Sequence, residues 1–391
     1  MASVFILAVE NSADHLGAGL INGLREQDAD IHISGIGGAA MAALGVSGHI
    51  DLSDLAVLGF VEAVGVYATV LERVKQIAAL IMTTKPDCVV LIDGWGFMIR
   101  VAKALKKAGY QGAIIKYVAP QVWAMREGRA KILAKYVDAL LSLHSFDAPY
   151  FEKHGLPTYY IGNPVFEDSF EKGDAVRLRQ EFDINPDTKI IAVLFGSRLS
   201  EIQTLAKPFA DTIDMIKTAY PDVCFISPVS DPISTDVKAA AGQYPRLQNI
   251  ILLPEKRKWD VFASAYAALS CSGTVTSQLA YMGVPTVVAY RLNPLTYVVA
   301  KRLYKPDYIS IVNIAAKSAL MPEYVQADCN GKTLSQAVLD YLDDPAKHAK
   351  ARKALRAQTQ IMKGEGGLSY SRAAKAVLSF LHRHEITQGR A

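Results

Sequence analysis

Short apolar runs alternate with helical patterns along almost the whole chain, and this alternation restricts the fold more than any other feature. In the first part, "SVFILAVE", "DIHISGIGG", "DCVVLIDGW" and "AIIKYVAP" are strand-like and are separated by helical segments. Continuously apolar strands need helices on both faces of their sheet, which is typical of repeated βαβ units. The sequence therefore predicts an α/β fold of doubly wound parallel sheets.

The pattern pauses in a polar stretch, residues 167–189, and starts again with "IIAVLFGS". The chain has 391 residues, of which 51% are apolar, so it can bury more than one core. We place the domain boundary near residue 165. The predicted domains are residues 1–165 and 166–345, both Rossmann-like, and residues 346–391 are predicted as C-terminal helices packing back toward the first domain. Two such domains facing each other predict a ligand cleft at their strand ends.

Charge and cysteine content exclude several classes of function. Lysine and arginine number 42 against 38 acidic residues, an excess too small to indicate nucleic-acid binding. The four cysteines lie far apart, which fits a reducing cytoplasm better than a disulfide framework or a zinc site. The most apolar run, residues 55–71, contains Glu62 and two glycines and is shorter than the ~20 residues of a spanning helix. We expect a buried or interfacial helix there.

Two strand-to-helix turns in the second half are candidate anion sites. "LFGSRLSEI" leads from a strand into a helix that carries Arg198 and Glu201, and "SCSGTVTSQ" does the same through Ser272. Free N–H groups at a helix start attract phosphate, although each turn alone also fits an ordinary capped helix. Both together, in one domain, favour a nucleotide diphosphate. The chain has no GxxxxGK[ST] motif, which argues against P-loop chemistry.

Polar residues also follow strands in the first half. Asp93 ends "VLID", and Glu10 and Asp14 lie between the first strand and its helix. Each could act as a base or simply cap a turn. Trp123 precedes a basic helix, which fits either a solvated face or a site for an amphiphilic or phosphorylated substrate. The eight histidines show no metal-ligand spacing, so neither a metal nor a cofactor is predicted.

Taken in order, these elements resemble the lipid-A-disaccharide synthase family, inverting glycosyltransferases of the GT-B type. The resemblance covers nearly the whole chain. It rests on the Glu10–Ala18 element and on "GGAAMAALG", "DLAVLGFVEAV", "YVAPQVWA", "GSRLSEI", "CSGTVTSQLA" and "YRLNPLTYVVAKRLYKPDYISIVNIAA". The last of these is long and specific.

The resemblance implies a hexosyltransferase of lipopolysaccharide biosynthesis. A UDP-diacylglucosamine would dock in the second domain and diacylglucosamine 1-phosphate (lipid X) toward the first, and UDP would leave as a β(1→6) disaccharide forms. The reaction needs a base for the acceptor hydroxyl and positive charge or helix dipoles for the diphosphate, without a metal if arginine and N–H groups suffice. The family also implies a homodimer, peripheral on the cytoplasmic face of the inner membrane, with no nucleic-acid partner.

The motifs and the resemblance together give the candidate site residues. The base candidates are Asp93, Glu10 and Asp14. The acceptor or lipid side comprises Trp95, Trp123, Arg126 and Asn163. The nucleotide-sugar side comprises Ser197, Arg198, Glu201, Ser272, Gly273, Thr274, Gln278, Tyr290 and Arg291.

Several family positions differ in this chain, and three of these differences bear directly on the proposed chemistry. Gly96 stands where the family has a second acid, Trp95 replaces a proline, and Gln278 replaces a glutamate. These differences leave two alternatives open. The chain could use a different acceptor with a UDP-sugar donor, or it could be a non-catalytic paralogue that binds nucleotide sugar or lipid.

Overall fold

A computed structural model describes residues 2–48, 50, 63–167 and 173–387 of the chain. The chain divides into two compact units. Unit 1 consists of Met1–Pro164 and Gly364–Ala391, and unit 2 of Val165–Lys363. Of the predicted C-terminal helical segment, residues up to Lys363 therefore belong to unit 2 and the rest to unit 1.

Unit 1 contains a parallel six-stranded sheet in the order β2-β1-β3-β4-β5-β6. Its strands are β1 (Ser3–Leu7), β2 (His32–Ile36), β3 (Cys88–Ile92), β4 (Ala113–Tyr117), β5 (Ala139–Ser142) and β6 (Thr158–Tyr160). The strands β3 and β4 are buried along their whole length, as expected when helices cover both faces. The strand order reverses between β1 and β3, which places the polar residues after these two strands at a topological switch point.

Helices cover both faces of this sheet. They are α1 (Asn11–Gln27), α2 (Ala39–Ala42), α3 (Ala63–Thr84), α4 (Trp95–Lys107), α5 (Gly128–Tyr136), α6 (Ala148–Glu152) and α16 (Ser369–Thr387). The C-terminal helix α16 packs against α1, where a Cβ on Gly23 would lie only 2.7 Å from the carbonyl oxygen of Tyr370. A glycine is needed for that close approach of the two backbones.

Unit 2 contains a second parallel six-stranded sheet, in the order β12-β11-β10-β7-β8-β9. Its strands are β7 (Ile190–Leu194), β8 (Cys224–Val229), β9 (Ile250–Pro254), β10 (Ala267–Cys271), β11 (Thr286–Tyr290) and β12 (Glu323–Val325). This is the Rossmann strand order, and it reverses between β7 and β10. The predicted fold class, with doubly wound parallel sheets, is confirmed.

The helices of unit 2 connect these strands. They are α7 (Ala175–Glu181), α8 (Leu199–Ala219), α9 (Ser234–Gln243), α10 (Lys258–Ser264), α11 (Thr274–Met282), α12 (Pro294–Leu303), α13 (Ile311–Ala316), α14 (Gly331–Asp343) and α15 (Pro345–Lys363). The core of one sheet face is built largely from β7, α8 and α14, with Phe209 fully buried at its centre.

The predicted apolar helix at residues 55–71 falls partly outside the described residues, because 51–62 are not among them. The rest belongs to α3, which buries Val74, Ile77 and Ile81 in the core of unit 1. Its first turns leave Tyr67 exposed at 52% and Leu71 at 37%. In the part of the chain that is described, none of the helices combines the length and apolarity needed to cross a membrane.

Candidate active site

The two predicted anion-binding turns of unit 2 lie side by side. Their strands β7 and β10 are hydrogen-bonded neighbours in parallel register, with Leu194 opposite Ser270. Both strands therefore end at the same edge, and the helices α8 and α11 start from it. The structure brings together the two motifs that lie about 75 residues apart in sequence.

Glu201 fixes the first turn. Its buried carboxylate accepts hydrogen bonds from the backbone N–H groups of Ser197, at 2.9 Å, and Arg198, at 3.2 Å. The guanidinium of Arg198 donates to the other carboxylate oxygen at 3.1 Å. A Cβ on Gly196, which has φ +102°, would lie 2.2 Å from this carboxylate, so the turn requires glycine.

In this geometry the backbone groups that can bind an anion differ from those predicted. The N–H groups of Ser197 and Arg198 are occupied by Glu201, so they are not free for a ligand. Within the described chain, the next two N–H groups of the helix start, on Leu199 and Ser200, have no protein acceptor. The side chain of Arg198 is 72% exposed beside them. Backbone donors and a guanidinium thus converge on one place at the sheet edge.

The second turn is held by a network that sequence reasoning missed. The hydroxyl of Ser272 donates to the carbonyl of Ile309 at 3.3 Å. The carboxylate of Glu323 accepts from the N–H groups of Ile309 and Ser310 and from the side-chain amide of Asn313. These bonds lock the "YISIVN" segment under the Ser272 turn. The only sequence signal for this network is Glu323 in a short edge strand, and the sequence alone does not distinguish such a glutamate from a solvated one.

The other predicted nucleotide-side residues lie in or near this edge. Gly273 precedes α11 and Thr274 begins it, while Gln278 is buried on the same helix. Tyr290 is the last residue of β11. Its burial is the main cause that raises its pKa, and the negative charge of Glu201 raises it further. Arg291 differs, because its Nε donates to the carbonyl of Gln326 at 3.1 Å. Arg291 therefore stabilises the neighbouring loop.

In unit 1, Asp93 follows β3 in a strained conformation. It is half-buried and has φ +51°, and Gly94 behind it has φ +48°. Val118, after the neighbouring strand β4, has φ +73°, which is rare for a β-branched residue. Strain of this kind persists only where the surrounding structure holds it, and it is concentrated at functional sites. The sheet edge at β3 and β4 is therefore a candidate for chemistry.

A buried lysine lies at this edge. Lys116 is 2% exposed, and its Nζ donates to the carbonyl oxygens of Tyr117 at 2.8 Å and Leu91 at 3.3 Å. Burial lowers the pKa of Lys116 to about 7, and the charge of Asp93 opposes this lowering. The carbonyl of Tyr117 also accepts the N–H of Asp93. Sequence reasoning missed Lys116, although a lysine inside the apolar strand "AIIKY" was a visible signal.

The other two base candidates have different surroundings. Asp14 is 2% exposed, and its carboxylate accepts the N–H groups of Gly38, Ala40 and Met41 at 2.7, 2.7 and 3.1 Å. Glu10 is exposed, immediately before α1, and makes no side-chain capping bond. Asp14 is thus committed to the start of α2, whereas Glu10 and Asp93 follow the adjacent strands β1 and β3.

Trp95 and Arg126 lie at the same edge of the sheet. Trp95 is the first residue of α4 and is half-buried, and the guanidinium of Arg129 lies 5.2 Å from the centre of its ring. Arg126 is exposed and has φ +58°. Partial burial and the charge of Arg126 lower the pKa of Arg129. Arg129 belongs to the basic helix recognised in the sequence but was not among the predicted site residues.

Trp123 is buried in a polar cluster. It is 7% exposed and its ring meets Phe146 edge to face, with the centroids 5.5 Å apart. Nearby, burial raises the pKa of Asp147 to about 6, although the hydrogen bond that the Ser142 hydroxyl donates to its carboxylate opposes this rise. The tryptophan therefore supports the fold behind the edge.

Asn163 is not brought together with Asp93. It follows β6, and two strands, β4 and β5, separate β6 from β3 in the sheet. At about 4.8 Å per strand, the two strand ends are roughly 14 Å apart. Among the described residues, no group of three histidine, cysteine or acidic side chains could hold a metal ion.

Two Rossmann-like units, one with paired helix starts at its sheet edge, define a protein of the GT-B fold class. Solved structures show the same fold. The chain is similar to UDP-GlcNAc 2-epimerase from Neisseria meningitidis bound to UDP-GlcNAc, with a TM-score of 0.63, 12% identity, and coverage of 98% of this chain and 100% of that one. It is also similar to an α,α-trehalose-phosphate synthase from Burkholderia vietnamiensis, with a TM-score of 0.61, 12% identity, and coverage of 100% and 99%.

Sequence comparisons give the family. The family model described as lipid-A-disaccharide synthetase matches residues 4–380. The lipid-A-disaccharide synthase of Rhodospirillum centenum is 37% identical over 387 residues, covering 98% of this chain and 96% of that protein. The one from Geobacter metallireducens is 34% identical, with 97% of each chain covered. The chain belongs to the lipid-A-disaccharide synthase family of hexosyltransferases, as the resemblance predicted.

Proposed function

We propose that this protein transfers a diacylglucosamine from UDP to the 6-hydroxyl of diacylglucosamine 1-phosphate. The acceptor oxygen forms a bond to the anomeric carbon of the donor, the bond from that carbon to the diphosphate breaks, and UDP leaves. The hydroxyl proton passes to a base. Family membership supports this reaction, and the juxtaposed helix starts of unit 2 are the structural observation that carries it.

The diphosphate is proposed to bind at the edge between β7 and β10. The N–H groups of Leu199, Ser200 and Thr274 and the guanidinium of Arg198 surround that edge. Donors already in place before the reaction stabilise negative charge as it develops on the leaving group. Glu201 keeps this turn rigid, and Ser272 anchors the second turn. Unit 2 is thus the proposed nucleotide-sugar unit, with Gln278 and Tyr290 at its border.

Asp93 is the proposed base in unit 1, the acceptor-side unit. It follows the strand at the switch point, is partly accessible, and is held in a strained turn beside Lys116. Asp14 is less suited because three N–H groups already occupy its oxygens. Glu10 lies after the adjacent strand and could bind a substrate hydroxyl. We place the acceptor beside Trp95 and Arg126.

A second candidate function is binding without catalysis, or transfer to another acceptor. Gly96 and Gln278 motivate it, because both replace family acids. A Cβ on Gly96 would meet only the guanidinium tip of Arg100, at 3.7 Å. An aspartate therefore fits at this position, and the Gly96→Asp, Gln278→Glu double variant is a fair test. Activity that appears only in that variant supports the binding role.

Membrane association and dimerisation also belong to the proposal. The exposed Tyr67 and Leu71 on α3 support contact with the cytoplasmic face of the inner membrane, since amphipathic helices bind there. Co-sedimentation with liposomes should fall for a Tyr67→Lys, Leu71→Lys variant. A homodimer is proposed from the family alone and is checked by sedimentation velocity.

The test of the donor site is calorimetric titration with UDP. The Arg198→Gln variant should weaken UDP binding by about 10- to 100-fold, the usual contribution of a charge-assisted hydrogen bond. Lys207→Gln is the matched control, since Lys207 is an exposed cation on the same helix, paired with Asp211. Equal affinities for wild type and Arg198→Gln, or no UDP binding by wild type, would contradict the proposal.

A further inference from the structure

Two arginines near the candidate base carry charges that no acidic residue balances. Neither Arg126 nor Arg129 has an ion pair or a side-chain hydrogen bond within the described chain. The glutamate between them, Glu127, instead pairs with Lys153. Most exposed arginines are simply solvated, but these two are close enough for the charge of Arg126 to lower the pKa of Arg129. Repulsion between the two positive charges is relieved when an anion binds between them, so the pair favours anion binding.

The position of Arg129 is set by an aromatic ring. Its guanidinium lies over Trp95, 5.2 Å from the ring centre, and is partly withdrawn from water. This cation–π contact restricts the guanidinium, while its N–H groups remain available for bidentate contacts with an anion. Arg126 is held in the left-handed region with φ +58°, a conformation that costs free energy. The ring contact and the backbone conformation therefore hold the two arginines in defined positions.

The charge and geometry of the two guanidinium groups indicate which class of anion they bind. Two guanidinium groups match the dianion of a phosphate monoester better than a singly charged phosphodiester or a neutral sugar hydroxyl. Trp95 is one residue beyond Gly94, which follows Asp93, so the pair lies at the same strand end as the proposed base. A phosphate bound there would anchor an acceptor whose hydroxyl is presented to Asp93.

We propose that Arg126 and Arg129, with Trp95 beneath Arg129, bind the phosphate monoester of the acceptor and select phosphorylated over unphosphorylated acceptors. This inference rests on the proposed function and assigns its acceptor specificity. It also explains the tryptophan that this chain has in place of the family proline, because that ring positions Arg129.

The experiment compares two acceptors, diacylglucosamine 1-phosphate and unphosphorylated diacylglucosamine, with wild type and four variants. Arg129→Gln and Arg126→Gln should each lower kcat/KM for the phosphorylated acceptor by about 10- to 100-fold, through KM, and change the unphosphorylated reaction by less than about threefold. Trp95→Leu should lower it by about two- to fivefold. Lys131→Gln, which removes an exposed charge from the same helix, should leave both reactions unchanged.

Equilibrium binding separates failure of this inference from failure of the proposed function. The two acceptors are titrated in detergent micelles, a measurement that needs no turnover, and variants are compared for UDP binding in unit 2 to verify folding. A phosphate preference that survives in Arg126→Gln and Arg129→Gln overturns the inference. The inference is also overturned if the arginine variants lose only their binding to phosphatidylglycerol vesicles, because the arginines would then bind membrane lipid and not the acceptor. An inactive wild type that still prefers the phosphorylated acceptor through these arginines supports the inference and contradicts the transfer reaction.

Discussion

Replacing Lys116 by methionine should make the protein more stable and less active. The buried ammonium of Lys116 opposes folding, because burial lowers its pKa from 10.5 to about 7. In the unfolded chain the same group keeps its ordinary pKa, so between pH 7 and 10.5 the unfolded state binds the additional proton. Folding stability therefore rises with pH across this window, and the full penalty is present below pH 7.

The size of the effect follows from the two pKa values. At pH 7 the penalty is about 4 kcal/mol, and by pH 8.5 it has fallen by about 2 kcal/mol. Methionine removes the penalty, but it also removes the hydrogen bonds to Leu91 and Tyr117, each worth about 1 kcal/mol. The variant should thus be more stable by about 2 kcal/mol at pH 7. This advantage should shrink as the pH rises.

Activity should change in the opposite direction. Without the positive charge beside the proposed base Asp93, turnover should fall about tenfold or more. Urea unfolding at pH 7 and 8.5 measures the stability, and UDP release measures the turnover. Leu140→Met is the matched control, because Leu140 lies opposite Lys116 on β5 and is equally buried. Its stability relative to wild type should show no comparable pH dependence.

Two results would refute this reasoning. A variant less stable than wild type at pH 7 would mean that Lys116 is needed for its hydrogen bonds and carries no net penalty. Full activity of the variant would mean that the charge of Lys116 has no influence on the base.

Three further predictions concern the site. Asp14→Asn should accelerate amide hydrogen exchange at Gly38–Met41 by about 10- to 100-fold, because one of the three hydrogen bonds to the carboxylate is lost. Turnover should be nearly retained. A variant with slow turnover and unchanged exchange would show that Asp14 is catalytic. Glu201→Gln should weaken UDP binding about tenfold in calorimetry, since the turn at Ser197 loosens, and unchanged affinity would contradict its locking role. Gly96→Asp should leave the turnover of an active wild type within about tenfold, whereas a gain of several orders of magnitude in UDP release would favour the binding role.

The architecture could be read from the sequence because it depends on period and continuity of apolar residues. The run "IIAVLF" is apolar at every position, as a strand is when helices cover both faces of its sheet, so the parallel sheets were predictable. The proximity of the Ser197 and Ser272 turns was also predictable, since ligand sites of such sheets lie where the strand order reverses.

The finer chemistry of the site was not predictable in the same way. Whether Asp14 faces a substrate or caps α2 depends on where the Gly38 turn folds back, and spacing carries no such information. The occupation of the Ser197 N–H by Glu201 depends on one rotamer. Lys116 and Arg129 gain their significance from burial and from a ring contact, both of which arise only when distant segments pack together.

The most direct test of the proposed transfer reaction is product formation by the purified protein. It receives UDP-diacylglucosamine with and without diacylglucosamine 1-phosphate, UDP release is followed, and the tetraacyl disaccharide phosphate is detected by mass spectrometry. We predict that UDP release depends on the acceptor and that the disaccharide accumulates in equal amount. Asp93→Asn should lower both by about 10²- to 10⁴-fold. Binding of UDP without the disaccharide, or full activity of Asp93→Asn, would contradict this prediction.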